Sequence, residues 1–294
     1  MPPKVHVTGE LPARVHDALA ESFTLADGAD GVDGILSLLT TSVDGELLDR
    51  AGPQLRVVAN YGVGVDNVDL EAARARNVVI ANTPDVLTDD VAELTIALTL
   101  ALLRRVAEGD RFLRRESRWS FSLEFMLGES IRGKTFGVVG PGRIGRAAAS
   151  LAEALGARAI FAGRAGDLGM LLETADVVSL HCPLTPETRH LIDAAALARM
   201  GPTAVLVNTA RGQIVDESAL VAALRDGKIA GAALDVYEHE PDVSPALLAL
   251  ENVVLTPHIA SATRDTREAM GLLAVAALRA VLLEGRIPAN ALRV

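Results

Sequence analysis

Short aliphatic runs alternate with stretches of helical periodicity along almost the whole chain. Runs at 4–8, 34–39, 55–59 and 78–81 predict strands, and apolar positions recurring at helical spacing over 13–22, 44–51 and 70–76 predict helices between them. Asp44 and Asp69 stand where N-caps are wanted. A long helix is expected over 88–108, with Asp89 and Asp90 in its first turn, where carboxylates suit the helix dipole. The charged segment 111–129, which carries the only tryptophan, Trp119, reads as an arm or connection. A second array follows, with strands at 135–139, 158–162, 177–181, 204–208, 231–236 and 253–256 and a closing helix at 264–283. That last helix is apolar enough to dock, and the first array is the natural place for it.

The strands are continuous aliphatic runs more than alternating ones, as parallel strands covered on both faces are. The pattern predicts an α/β protein of two doubly wound domains with a cleft between them. Composition agrees. Half of the 294 residues are hydrophobic but only 3% are aromatic, so the interior must be built from Ala, Val, Leu and Ile. A formal charge of −10 argues against nonspecific nucleic-acid binding, which needs clustered Lys and Arg. Cys182 is the only cysteine, so no intrachain disulfide can form, which suits a reducing compartment. No signal-peptide core is visible at the start, and the apolar stretch 94–103 is far shorter than the roughly 20 residues of a membrane span. A cytoplasmic protein without membrane contact is expected, and no metal-ligand pattern stands out.

The richest chemistry is in Gly137-Val138-Val139-Gly140-Pro141-Gly142-Arg143-Ile144-Gly145-Arg146, between an expected strand and an expected helix. Here Gly140 permits a tight turn, Gly142 lets a pyrophosphate approach the backbone, and Gly145 lets helix and strand pack closely. The amides at the helix start, around Arg143 and Ile144, would meet the phosphates. About 20 residues further on, such motifs place an acid that holds the adenosine ribose. This chain has Gly163-Arg164 there instead. A guanidinium would pair with a 2′-phosphate that a carboxylate would repel, so NADP(H) is expected as the preferred cofactor, with NAD(H) possible. Between Arg164 and Asp176 there is room for only a short helix, at 168–174, which predicts a truncated sheet edge.

Three further segments put polar residues at strand ends, where ligands bind in open α/β sheets: Asn208-Thr209-Ala210-Arg211-Gly212, Leu234-Asp235-Val236-Tyr237-Glu238-His239-Glu240-Pro241 and Leu255-Thr256-Pro257-His258-Ile259-Ala260. An Arg, a Glu and a His could form an anion clamp with an acid–base pair; separate surface ion pairs are the alternative.

With these motifs, and with Tyr61-Gly62-Val63-Gly64-Val65-Asp66-Asn67, Asn82-Thr83-Pro84-Asp85-Val86-Leu87-Thr88 and His181-Cys182-Pro183-Leu184-Thr185, the chain resembles the D-isomer-specific 2-hydroxyacid dehydrogenases over nearly its whole length. Within them it looks most like the glyoxylate/hydroxypyruvate reductases. The resemblance implies two Rossmann-like domains, with the cofactor domain (94–266, arm about 109–130) inserted in a flavodoxin-like substrate domain (1–93 and 267–294).

It also implies residue roles. His258 would protonate the carbonyl oxygen of a small 2-keto acid, Glu240 would bond the other imidazole nitrogen, and Arg211 would hold the substrate carboxylate. Tyr61, Val63 and Gly64 would complete the carboxylate pocket. Asp235 would face the nicotinamide carboxamide, and Cys182, Pro183, Thr188, Thr209, Ala210, His258 and Ala260 would line the cofactor. A homodimer is implied, with the arm around Trp119 and Met126 reaching the partner. His181, His190 and His239 are the other histidines near these motifs, and each reads as structural or exposed. A dehydrogenase of a larger hydroxy acid, phosphorylated or aromatic, and a nicotinamide-dependent sensor remain alternatives at this point.

Overall fold

The computed structural model describes residues 2–163 and 165–292. The chain divides into two compact units, one running to Leu87 and resuming at Ser261, the other spanning Thr88–Ala260. In the first, β1 (Lys4–Val7), α1 (Ala13–Ala20), β2 (Thr24–Ala26), β3 (Gly34–Leu38), α2 (Gly45–Ala51), β4 (Val57–Tyr61), α3 (Leu70–Ala75) and β5 (Val79–Ala81) follow one another. Their strands form a parallel sheet in the order β2-β1-β3-β4-β5, the flavodoxin-like doubly wound arrangement. The Asp44 and Asp69 carboxylates accept from the amides of Leu47 and Ala72, so both expected caps are made. Strand β2 was not expected: Thr24-Leu25-Ala26 lies at the sheet edge with its first two residues exposed, so it carries no aliphatic run.

The second unit opens with α4 (Thr88–Leu103) and α5 (Val106–Glu116). The single helix expected over 88–108 is therefore broken. Arg105 takes the left-handed conformation, with φ of 56°, and its guanidinium binds Glu108 and the Leu127 carbonyl. The sheet and its helices follow: β6 (Thr135–Val139), α6 (Arg143–Ala154), β7 (Arg158–Ala162), α7 (Ala165–Thr174), β8 (Val177–Leu180), α8 (Ala194–Arg199), β9 (Val205–Asn208), α9 (Glu217–Arg225), β10 (Gly231–Leu234), α10 (Pro245–Leu248) and β11 (Val253–Leu255). Helix α11 (Arg264–Leu282) closes the chain in the first unit, where it packs on β4 and α1.

All six strands of the second sheet are parallel, in the order β11-β10-β9-β8-β6-β7. This is a doubly wound order in which, among the described residues, no strand lies beyond β7. The chain passes from β7 through α7 alone to β8, so the truncated edge expected from the short crossover is present. Alternate residues feed the two faces of the sheet. Leu206 joins the core under α7, α8 and α9, and Val205 and Val207 join the one under α4 and α6.

The register is the feature that builds the site. Leu255, Leu234, Asn208, Leu180, Val139 and Ala162 are aligned across the sheet as paired residues. The next residue in each strand is Thr256, Asp235, Thr209, His181, Gly140 and Gly163. Every motif of the second array therefore emerges at the carboxyl edge of one sheet.

Candidate active site

The sheet reverses its winding between β6 and β8, the usual place for a dinucleotide. Gly140 follows β6 with φ of 92°, and a Cβ there would lie 2.5 Å from the Cys182 amide nitrogen. A Cβ on Gly145 would lie 2.5 Å from the Gly140 carbonyl. Gly142, by contrast, faces open space, with nothing within 4 Å of an added Cβ. It is the N-cap of the 12-residue helix α6 and supplies no side-chain acceptor, so the first-turn amides point to an open position. These residues fit a pyrophosphate. Cys182 itself is buried, and burial pushes its thiol pKa up, away from reactivity.

The segment after β8 is closed by Thr188, whose hydroxyl donates to the Pro183 carbonyl at 2.7 Å and accepts from the Thr185 amide at 2.7 Å. After β9, Thr209 is buried with its hydroxyl 2.9 Å from that of Thr95 in α4, and the Ala210 amide donates to Asn208 Oδ1. Gly163 lies beside Pro141 of the glycine turn, and Arg164 lies outside the described residues.

Asp235 is fully buried. Its Oδ1 accepts from Thr256 Oγ1 at 2.6 Å and the Ile259 amide at 2.8 Å, and its Oδ2 accepts from the Ala260 amide at 2.8 Å. The His258 amide donates to the Asp235 carbonyl. His258 needs that support, because its φ of 53° is left-handed, a conformation that costs a non-glycine residue roughly 1–2 kcal/mol. Asp235 thus holds the turn that presents His258.

His258 Nδ1 is 2.8 Å from Glu240 Oε2, and the Tyr237 amide donates to Glu240 Oε1 at 3.0 Å. The two side chains keep 36% and 35% of their surface exposed, so the pair is open to an incoming molecule. Burial would push the Glu240 carboxyl pKa up. The His258 hydrogen bond and charge, the Tyr237 amide and the charge of Arg211 outweigh it and leave the carboxyl below its ordinary value. Glu240 is therefore the group on which both His258 and Arg211 act. With Nδ1 committed to Glu240, Nε2 is the other ring nitrogen, available for a different partner.

The other histidines differ. His181 reaches inward, its Nε2 2.8 Å from the hydroxyl of the fully buried Ser179, and burial holds its imidazole down at about 4. His190 pairs with Glu238, and His239 is exposed.

In the first unit Tyr61 is buried at the end of β4, and its hydroxyl donates to the Arg267 carbonyl. The turn after it is fixed by two residues that sequence reasoning missed. Asn82 Nδ2 donates to the Val63 carbonyl at 2.8 Å and Asn60 Nδ2 to the Gly64 carbonyl at 2.7 Å. In a trans peptide the N–H points away from its carbonyl, so the Gly64 and Val65 amides are aimed opposite these partners. The signals were Asn60, a polar residue inside the otherwise hydrophobic strand Val57–Tyr61, and Asn82, which opens the Asn-Thr-Pro-Asp motif.

A dinucleotide turn at the switch point of a parallel sheet, with an arginine and a histidine–carboxylate pair on the same edge, defines a dinucleotide-dependent oxidoreductase. The chain belongs to the D-isomer-specific 2-hydroxyacid dehydrogenase family, whose NAD binding domain matches residues 96–260. It is 46% identical to the glyoxylate reductase of Aeropyrum pernix, over 91% of this chain and 84% of that protein. It is 40% identical to the glyoxylate reductase of Thermococcus litoralis, over 99% and 96%. Among solved structures it resembles the NADPH-dependent glyoxylate/hydroxypyruvate reductase of Sinorhizobium meliloti in complex with NADP and malonate. That match has a TM-score of 0.88 and 38% identity, over 100% of this chain and 97% of that one. No helix among the described residues is long and apolar enough to cross a membrane.

Proposed function

We propose that this protein reduces a small 2-keto acid of the glyoxylate or hydroxypyruvate kind to the D-2-hydroxy acid, with NADPH preferred over NADH. The observation that carries the reading is the 2.8 Å contact between His258 Nδ1 and Glu240 Oε2, within the electrostatic reach of Arg211. When bound, the nicotinamide supplies the hydride. Arg211 binds the substrate carboxylate and turns the carbonyl toward the histidine, and His258 Nε2 delivers a proton to the oxygen as it gains negative charge. Glu240 keeps the ring oriented and offsets the charge of the imidazolium from which the proton leaves.

Cofactor preference rests on the end of β7. Gly163 stands beside the glycine turn where an acid would hold an unphosphorylated ribose, and Arg164 follows it. The test is a panel of glyoxylate, hydroxypyruvate and larger 2-keto acids, each assayed with NADPH and with NADH. Higher kcat/KM for the two small acids with NADPH is the expected result. No turnover across the panel refutes the enzymatic reading, and a clear NADH preference refutes the cofactor assignment.

The same reading includes a homodimer. The arm after α5 presents Trp119, Phe121, Leu123 and Leu127 at 55%, 78%, 84% and 64% exposure, a larger run of apolar surface than a solvated segment carries. A second copy of the chain is its proposed cover. The double substitution Phe121→Ser with Leu123→Ser should shift the species seen by light scattering from dimer to monomer. A parent that is already monomeric refutes the assignment.

A further inference from the structure

We propose that Glu238 is a positioning residue that sets the distance between Arg211 and the Glu240–His258 pair; the inference rests on the catalytic reading above. Glu238 lies two residues before Glu240 in sequence, with its side chain only 11% exposed. Its Oε1 is 2.6 Å from His190 Nε2, with the Arg189 guanidinium 3.9 Å away. Its Oε2 accepts from the Glu217 amide at 3.3 Å, and its own amide donates to Glu217 Oε2 at 3.3 Å. Its carbonyl accepts from Gln213 Nε2 at 3.0 Å, and the Gln213 carbonyl accepts from the His190 amide at 2.9 Å. One residue therefore ties together three segments that are distant in sequence.

Two of those segments carry the chemistry. Gln213 is joined to Arg211 through Gly212, and a Cβ on Gly212 would lie 1.9 Å from the carbonyl carbon and oxygen of Tyr237. The backbone beside Arg211 is thus pressed directly on the Tyr237–Glu238 peptide. The amide of the same Tyr237 holds Glu240 Oε1, while Glu240 Oε2 holds His258. Any displacement of Glu238 moves the substrate-binding arginine relative to the acid pair. A carboxylate this buried is costly unless its oxygens are bonded, and here each oxygen meets a donor from a different segment. An apolar residue would keep the two backbone bonds, to Gln213 Nε2 and Glu217 Oε2, but would lose the carboxylate bonds to His190 and the Glu217 amide.

The test uses Glu238→Ala and Glu238→Gln in the full chain, with hydrogen–deuterium exchange, steady-state kinetics and fluorescence titration of NADPH. In Glu238→Ala, exchange should rise together in peptides covering 211–217 and 237–241. A displacement on the ångström scale should lower kcat/KM roughly 100-fold, while NADPH affinity stays within about twofold, because the glycine turn is built elsewhere. The amide in Glu238→Gln keeps one acceptor, and at least about tenfold of the loss should return.

Unchanged exchange in both segments overturns the proposal. So does raised exchange with undiminished kcat/KM, or an equal loss of cofactor affinity, which would mark a merely structural residue. If the parent turns over no 2-keto acid, the functional reading fails by itself. The exchange data still decide whether Glu238 ties the two segments together.

Discussion

Replacing His181 with Gln should alter the pH dependence of stability in a calculable way. The residue follows β8, directly under the glycine turn: its Cβ would lie 3.3 Å from a Cβ on Gly145, and its carbonyl carbon 2.7 Å from one on Gly140. Burial lowers its imidazole from 6.5 to about 4, so the ring is neutral in the native state at neutral pH. Above pH 6.5 neither state holds a proton there, and His181 contributes no pH dependence. Between 6.5 and 4 the unfolded chain binds a proton that the native state refuses, so native stability falls as the pH falls, by about 1.4 kcal/mol per unit. Below about 4 both states are protonated and the loss levels off near 3 kcal/mol in total. Glutamine does not titrate. Stability from denaturant titration of parent and His181→Gln at several pH values between 7.5 and 4 isolates the histidine. The parent should lose about 3 kcal/mol relative to the variant across that range. Glu240 cancels in the difference because both proteins carry it. Its depressed carboxyl pKa keeps its contribution above 4.5 and loses it only as the pH falls further. Parallel stability curves for the two proteins, or a parent that gains on acidification, would refute the buried neutral ring.

Three other substitutions test the site. His258→Ala should lower kcat by about two to four orders of magnitude with cofactor affinity retained, and near-full kcat at neutral pH would contradict its role as the acid. Arg211→Lys keeps the charge but loses the paired guanidinium donors, so kcat/KM for the parent's best 2-keto acid should fall at least about tenfold in steady-state assays; an unchanged value removes the clamp. Asp235→Asn keeps the shape but replaces one acceptor with a donor, facing the Ala260 amide or the Thr256 and Ile259 donors. It should destabilise by about 2 kcal/mol and lower kcat, as thermal unfolding and kinetics would show; an unshifted Tm would mean that the His258 turn does not depend on this carboxylate.

What was legible in the chain, and what was not, follows from how each feature is made. Buried strands are mostly aliphatic, so ten of the eleven strands among the described residues could be found from the pattern along the chain, whereas the exposed edge strand β2 left no such mark. The strand-end chemistry was legible for the complementary reason. Arg211, Asp235 and His258 interrupt aliphatic stretches where packing has no use for them. The break between α4 and α5 was hidden because Leu103-Arg104-Arg105-Val106 contains no glycine or proline. Arg105 turns there because Glu108 and the Leu127 carbonyl hold its guanidinium. Least legible of all were the ties between segments. Glu238 meets partners 48, 25 and 21 residues away, and these become neighbours only once the sheet order is known. The register shows why the tie falls at this point. Asn208 pairs with Leu234 and Leu234 with Leu255, so the arginine, glutamate and histidine segments leave the sheet from one row of adjacent strands. Beyond that row single contacts take over: the Asp235 carbonyl and carboxylate hold the histidine turn, and Glu238 is the proposed tie for the arginine segment. The residue types that perform chemistry can be read along the chain, whereas those that hold it in place are specified by the register of a parallel sheet.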